Sequence, residues 1–153
     1  MGDSSGLSLS DAIVVAAMAE SELFGGLADE TLTRLLSASS VVDLESGKEL
    51  VTQGEVGDSF YLIQAGSVRV TIQCGEEVQE VSTLGPGSVI GEISLLCNRP
   101  RTATCTVASA SFRALRFAKE ALDEITGDDP ELRSRLSAMA VPRVQDTMRR
   151  LYA

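Results

Sequence analysis

The stretch GEISLLCNRPRTAT, residues 91–104, places an arginine on each side of Pro100 in a chain that is strongly acidic. The 153 residues include 22 acidic and 13 basic side chains, which gives a formal net charge of −9. A positive charge held at one position against this balance indicates a specific anionic partner. We expect Arg101 to meet that partner, whereas Arg99 is explained more simply as a solvated or ion-paired side chain.

The residues around Arg101 have the features of a site for a phosphate and a sugar. Gly91 permits a tight turn of the backbone and lets a ligand approach the chain closely. Residues 92–96 can form one helical turn, whose first N–H groups lack internal partners and attract an anion. The guanidinium of Arg101 offers a fork of donors that matches phosphate oxygens, and the carboxylate of Glu92 suits sugar hydroxyls. Together these groups predict a nucleotide as the ligand.

Between about residues 40 and 117 the hydrophobic pattern has the period of two that is typical of β-strands. The alternation is clearest in SVRVTIQ (67–73) and ATCTV (103–107), and the weaker strand candidates are VVDL, ELVT, SFYLIQA and FRALRF. Turn signals separate these segments, namely ESGK (45–48), GEVGD (54–58), AGS (65–67), CGEE (74–77) and GPGS (85–88). Many short strands with such turns predict an antiparallel barrel or a jelly-roll-like sandwich.

The N-terminal residues 1–39 are predicted to contain helices. A helix over 11–20 would be apolar nearly all round, so it must be covered either by the domain itself or by a second copy in a homodimer. In residues 29–36 the leucines at positions 32, 35 and 36 share one helical face, which predicts a second helix packed on a core.

The C-terminal residues 118–153 return to a helical pattern. A helix over 119–125 is followed by a break at 128–130, where a further helix is predicted to begin. The apolar stripe of that last helix runs through Pro142, which cannot donate to the preceding turn. We therefore expect either one helix kinked near 138–142 or two helices in series. The kink would be either fixed or a hinge.

Length and composition narrow the classes of function. The chain is predicted to be a single domain, residues 1–153, with the β-roll over 40–117 between the helical ends. The longest apolar run, AIVVAAMA, is far shorter than a membrane span of about 20 residues, so we expect a soluble, cytoplasmic protein. No histidine is present and the three cysteines form no C-x-x-C pair, so we expect neither a metal site nor an enzyme. The acidic composition argues against nucleic acid as a partner.

The motif G-E-x-S-L-L-x-x-x-P-R-T-A-T (91–104) resembles the phosphate-binding cassette of the cyclic nucleotide-binding domain. That domain occurs in catabolite-activator-type regulators, cyclic-nucleotide-dependent kinases and cyclic-nucleotide-gated channels. The likeness covers roughly residues 20–140 and includes LF-x-GL (23–27) and QGEVGDSFYLIQAGSVRV (53–70). It implies a mainly β fold (α+β), an antiparallel β-roll or jelly-roll barrel with N-terminal helices and a C-terminal helical lid.

The resemblance also implies a ligand-binding role for residues of this cassette. They are Gly91, Glu92, Ile93, Ser94, Arg101, Thr102 and Ala103. Gly91 and Glu92 would hold the ribose 2′-hydroxyl, and Arg101 would pair with the cyclic phosphate. Backbone N–H groups around Ile93–Ser94 and at Thr102–Ala103 would assist it. Thr102 would lie near the purine, where a hydroxyl is often associated with acceptance of cGMP. Members of the family with a threonine there can nevertheless prefer cAMP, so the choice of base stays open, with cAMP the favoured ligand and cGMP the alternative.

The function implied is that of a cyclic-nucleotide sensor, either free-standing or part of a longer protein. Its C-terminal helices would close over the purine and relay binding to a protein partner or effector domain. In the family a residue of the last helix caps the purine, and Arg135, Met139 and Arg143 are candidates among which no motif selects. The alternative is a protein-interaction scaffold of the same fold that binds no ligand, against which the intact Glu92 and Arg101 argue.

Overall fold

The structure is a computed structural model that describes residues 18, 24–91, 100–135, 137, 138 and 142. The helices are α1 (Asp29–Ala38) and α2 (Lys119–Asp128), and residues 130–135 are helical as well. The strands are β1 (Ser39–Glu45), β2 (Glu49–Val51), β3 (Ser59–Ala65), β4 (Val68–Cys74), β5 (Glu77–Leu84), β6 (Val89–Ile90), β7 (Thr104–Val107) and β8 (Ser111–Ala118).

The strands form two sheets of four strands each. Their order is β1-β8-β3-β6 in the first sheet and β2-β7-β4-β5 in the second. Every pairing among the described strands is antiparallel. This arrangement confirms the predicted fold class, an antiparallel β-roll flanked by helices.

The predicted alternation of β4 is present in the structure. Val68 and Ile72 are buried, with exposed fractions of 0% and 1%, whereas Arg69 and Gln73 are exposed. On the neighbouring strand β7, Cys105 and Val107 are buried in the same layer. Val68, Cys105 and Val107 belong to an apolar cluster that contains residues of both sheets. Its buried members are Val51, Ile63, Val68, Ile90, Cys105, Val107, Phe112 and Ala114.

A second apolar cluster joins the first sheet to the helices. At its centre the rings of Phe60 and Phe117, which pair across β3 and β8, stack at 4.8 Å, and Phe24 packs on Phe117 at 5.8 Å. The helical contributions come from α1, α2 and the helical residues 130–135. They are Leu32, Leu35, Leu122, Ile125 and Leu132. The predicted apolar face of α1 is thereby confirmed, and helices from both ends of the chain share one core.

Helix starts and ends follow from local polar groups. α1 begins with the acidic Asp29 and Glu30, which favour the positive end of the helix dipole, and ends where Ser39 donates its hydroxyl to the Leu36 carbonyl (2.7 Å). The predicted break at 128–130 is confirmed, since Asp129 accepts the N–H of Leu132 (3.3 Å) as a helix cap.

Several predictions concern residues that the structure does not describe. Of the predicted helix over 11–20 only Met18 is described, and it is helical and fully buried in the core cluster with Phe24. At that residue, therefore, the N-terminal segment packs against its own domain. The predicted kink or hinge over 138–142 lies largely outside the described residues. Within the described part of the chain, no helix has both the length and the apolar character needed to cross a bilayer.

Candidate functional site

Among the described residues of the β-roll, Arg101 is the charged residue that is buried, with only 7% of its surface exposed. Its backbone is fixed on the loop between β2 and β3. The N–H of Arg101 donates to the Glu55 carbonyl (2.8 Å), and the Arg101 carbonyl accepts the N–H of Gly54 (2.9 Å). The backbone of Arg101 is therefore held by hydrogen bonds at both its N–H group and its carbonyl.

The guanidinium of Arg101 donates to two backbone carbonyls. Nη2 lies 2.8 Å from the oxygen of Ser59, and Nη1 lies 3.2 Å from the oxygen of Gly91. Ser59 is the first residue of β3 and Gly91 directly follows β6, the strand that pairs with β3. A buried guanidinium is costly unless its N–H groups have acceptors. These carbonyls therefore help to keep the charge inside the β-roll.

Gly91 has the backbone conformation and the surroundings that only glycine tolerates. Its φ is +95°, in the left-handed region. A Cβ atom at this position would lie 3.1 Å from the Ser59 oxygen and would collide with the guanidinium of Arg101. The structure thus brings Gly91 and Arg101, both predicted site residues, into direct contact.

Thr102 and Ala103 continue from Arg101 into β7 and are half-buried. Neither residue forms a hydrogen bond with any other part of the chain that the structure describes. The next residue is held, because the hydroxyl of Thr104 accepts the N–H of Gln53 (3.0 Å). The backbone N–H groups beside Arg101 therefore stand at the site without acceptors among the described residues.

The remaining predicted site residues, Glu92, Ile93 and Ser94, lie outside the described residues, and their roles stay predictions. Sequence analysis missed the part played by Glu55 and Ser59, which contact Arg101 through backbone carbonyls. A backbone carbonyl is present in every residue, so these contacts have no signature in the sequence. The turn signal GEVGD (54–58) predicted a loop at Glu55 but not its contact with Arg101.

Arg135, one of the candidates for capping the purine, is engaged elsewhere in this structure. Its guanidinium donates to the carbonyl of Gly25, and Nη2 lies 3.6 Å from the Glu131 carboxylate. The other two candidates, Met139 and Arg143, lie outside the described residues.

A separate groove of about 330 Å³ lies between α1 and α2. Its lining residues are Thr33, Arg34, Ser37, Ala38, Ala121, Glu124 and Ile125. None of the predicted site residues lines this groove, so it is distinct from the site around Arg101.

Comparison with known proteins identifies similar sequences and structures. The family model of the cyclic nucleotide-binding domain matches residues 41–129, more than half of the chain. The cAMP-dependent protein kinase regulatory subunit of Yarrowia lipolytica is 37% identical over 82 residues, which are 54% of this chain and 21% of that protein. The chain thus matches about a fifth of the length of this relative.

Two solved structures are similar over most of the chain. The catabolite activator protein of Thermus thermophilus has a TM-score of 0.75 at 29% identity, and the match covers 86% of this chain and 62% of that one. A cyclic nucleotide-binding domain from Methylobacillus flagellatus has a TM-score of 0.73 at 26% identity. That match covers 93% of this chain and 82% of the other.

Proposed function

The chain belongs to the cyclic nucleotide-binding domain family, and we propose that it is a regulatory module that senses cAMP. The family supports a cyclic nucleotide as the ligand class. cAMP is favoured over cGMP because the relative from Yarrowia lipolytica is a cAMP-dependent regulatory subunit. The observation that carries the proposal is the burial of Arg101 between backbone carbonyls in a chain of net charge −9.

The burial of Arg101 needs an interaction that offsets the free-energy cost of removing its charge from water. Removing a guanidinium from water costs several kcal/mol in general, and backbone carbonyls compensate only part of that cost. A protein-interaction scaffold would gain nothing from such a residue, whereas a phosphate ligand would form charge-assisted hydrogen bonds with it. The two half-buried residues that follow, Thr102 and Ala103, supply backbone N–H groups for the same anion.

The proposed binding mode follows the residues of the cassette (91–104). The cyclic phosphate would meet Arg101 and the N–H groups of Thr102 and Ala103. Glu92, with Gly91, would hold the ribose 2′-hydroxyl, and the N–H groups of Ile93 and Ser94 would complete the phosphate contacts. These four assignments in the first half of the cassette rest on the family resemblance.

The proposed output is a change in a surface offered to another protein. We assign the chain a non-catalytic role in the cytoplasm, in which ligand binding is relayed through the C-terminal helices to a protein partner or effector domain. A ligand can shift such an equilibrium only by its different affinities for the two states. A homodimer through the N-terminal helix is a further part of the proposal, and the buried Met18 limits how much of that helix is available for it.

Titration of the purified chain with cAMP, and separately with cGMP, tests the proposal directly. Binding of one ligand per chain is the expected result, with cAMP the tighter. Ligand at about 100 times its dissociation constant should also stabilise the folded protein by roughly 2.7 kcal/mol. If the folded chain gives neither heat nor thermal stabilisation with either nucleotide, it is a scaffold and the proposal is wrong.

Arg101→Ala should weaken cAMP binding by about ten- to a hundredfold, because a charge-assisted contact contributes roughly 1.5–3 kcal/mol. Arg113→Ala is the matched control. Arg113 also lies in the β-roll, but it is exposed and paired with Asp43 across β1 and β8 (2.8 Å). Equal affinities for the wild-type protein and the Arg101→Ala variant would contradict the assignment of the phosphate site.

A further inference from the structure

We propose that Gly91 is a positioning residue for Arg101, and that the missing side chain at position 91 makes the space in which the guanidinium is held. This inference rests on the proposed function in one respect only, namely that the anion met by Arg101 is a cyclic phosphate. The family resemblance places Gly91 beside the ribose. The structure adds a different role, directed at the arginine.

Arg101 contacts Gly91 at its carbonyl and also at the position that a side chain would occupy. On one side its carbonyl accepts a hydrogen bond from Nη1 of Arg101 (3.2 Å). On the other side a Cβ atom would lie 3.2 Å from Cζ of Arg101 and would overlap Nη1. The same guanidinium that binds the Gly91 backbone thus occupies the volume of a side chain at that position.

Any substituent at position 91 would displace the arginine rather than the backbone. The second neighbour of the added Cβ is the Ser59 carbonyl, at 3.1 Å, which belongs to the paired strand β3 and cannot easily move. The backbone of Arg101 is fixed as well by its hydrogen bonds to Gly54 and Glu55. The guanidinium end is the flexible partner, so it would leave its two carbonyls.

An oriented guanidinium matters for binding an anion. With its plane set by two carbonyls, the fork meets a phosphate without first losing side-chain freedom, and such preorganisation increases affinity. Gly91 would therefore raise affinity without touching the phosphate itself.

Gly87 provides a matched control for the conformational cost of replacing Gly91. Its φ is +88°, close to the +95° of Gly91, so alanine is equally unfavourable for the backbone at both positions. A Cβ at Gly87 would meet nothing within 4 Å. The two substitutions thus differ in the contact with Arg101 and in the 3.1 Å approach to the Ser59 oxygen, which remains when Arg101 is replaced.

The experiment compares Gly91→Ala and Gly87→Ala, each in the wild-type and in the Arg101→Ala background. Calorimetric titration with cAMP should show at least a tenfold loss for Gly91→Ala and less than about a threefold loss for Gly87→Ala. In the Arg101→Ala background most of the difference between the two glycine substitutions should disappear. Equal losses in the wild-type background, or an excess that persists undiminished without Arg101, would overturn the inference.

The midpoint of urea unfolding gives a second measurement that needs no ligand. Gly91→Ala should lower it more than Gly87→Ala, and most of the excess should vanish when Arg101 is replaced. Should Gly91→Ala fail to fold, recovery of a folded Gly91→Ala/Arg101→Ala protein supports the inference, and failure to recover one overturns it. If the wild-type chain binds no cyclic nucleotide, the proposed function is wrong, while the unfolding comparison still decides the role of Gly91.

Discussion

Thr102 carries a hydroxyl next to the buried Arg101, and the proposed binding mode places it near the purine. The residue is half-buried and forms no hydrogen bond within the described part of the chain. Guanine has an exocyclic amino group that can donate to such a hydroxyl, whereas adenine has no amino group at that position of the ring. Thr102→Ala should therefore weaken cGMP more than cAMP, by roughly 0.5–1.5 kcal/mol, or about two- to tenfold.

Titration of both nucleotides with the wild-type protein and this variant gives the two ratios directly. Thr83→Ala is the control, because Thr83 is an exposed threonine on β5 in the second sheet. An equal loss of affinity for cAMP and cGMP would remove Thr102 from the choice of base.

Sequence alone identified Arg101 because its charge opposes that of the whole chain and because it lies in a motif with fixed neighbours. It did not identify the backbone carbonyls that accept hydrogen bonds from the main chain and the side chain of Arg101. Glu55 and Ser59 contact Arg101 through their carbonyls, and a carbonyl's position depends on how β2, β3 and the loop between them fold. Side-chain chemistry at a site is thus open to prediction, whereas its backbone partners follow from the tertiary structure.

The turn between β3 and β4 depends on Gly66. Its φ is +84°, and a Cβ there would lie 2.6 Å from Oγ of Ser109 and 3.0 Å from Cα of Phe112. The hydroxyl of Ser109 cannot retreat freely, since it accepts the N–H of Ser67 (2.9 Å) and donates to the Ser111 carbonyl (2.7 Å). Gly66→Ala should therefore destabilise the fold by roughly 1–3 kcal/mol, as backbone strain and steric overlap combine.

Urea unfolding measures the loss of stability caused by Gly66→Ala, and Gly47→Ala is the control. Gly47 has nearly the same backbone conformation, with φ +89°, but a Cβ there would meet nothing within 4 Å. A cost for Gly66→Ala no larger than that for Gly47→Ala would mean that the packing of this turn is not important for stability.

Two strands escaped prediction for different physical reasons. β5 is an edge strand whose side chains are mostly exposed, including Val78 at 62%, so it has no buried face to produce an alternating pattern. β6 has only the two residues Val89 and Ile90, too few for any period to be recognised. By contrast, β4 lies between β5 and β7 and buries one face, and its alternation was predicted correctly.

At the scale of the whole molecule, a polar contact joins α1 to the helical residues 130–135 beside their shared apolar core. The carboxylate of Asp129 accepts the hydroxyl of Thr31 in α1 (2.9 Å) and also the N–H of Leu132 (3.3 Å). One side chain thus caps the helix that begins after it and ties that helix to α1. If ligand binding moves the start of this helix, α1 is expected to move with it.

Replacing Thr31 and Asp129, separately and together, tests whether the hydrogen bond between them stabilises the protein in solution. Thr31→Val keeps the shape of the side chain and loses one hydrogen bond, at a cost of about 0.5–1.5 kcal/mol. Asp129→Ala loses the helix cap as well, so it should cost more, with the cap alone contributing about 1 kcal/mol. Because the hydroxyl of Thr31 has lost its acceptor in Asp129→Ala, the double variant should be no less stable than Asp129→Ala alone. Urea unfolding of the four proteins gives this comparison, and strictly additive losses would mean that α1 and the C-terminal helix are joined by their apolar core without help from Asp129.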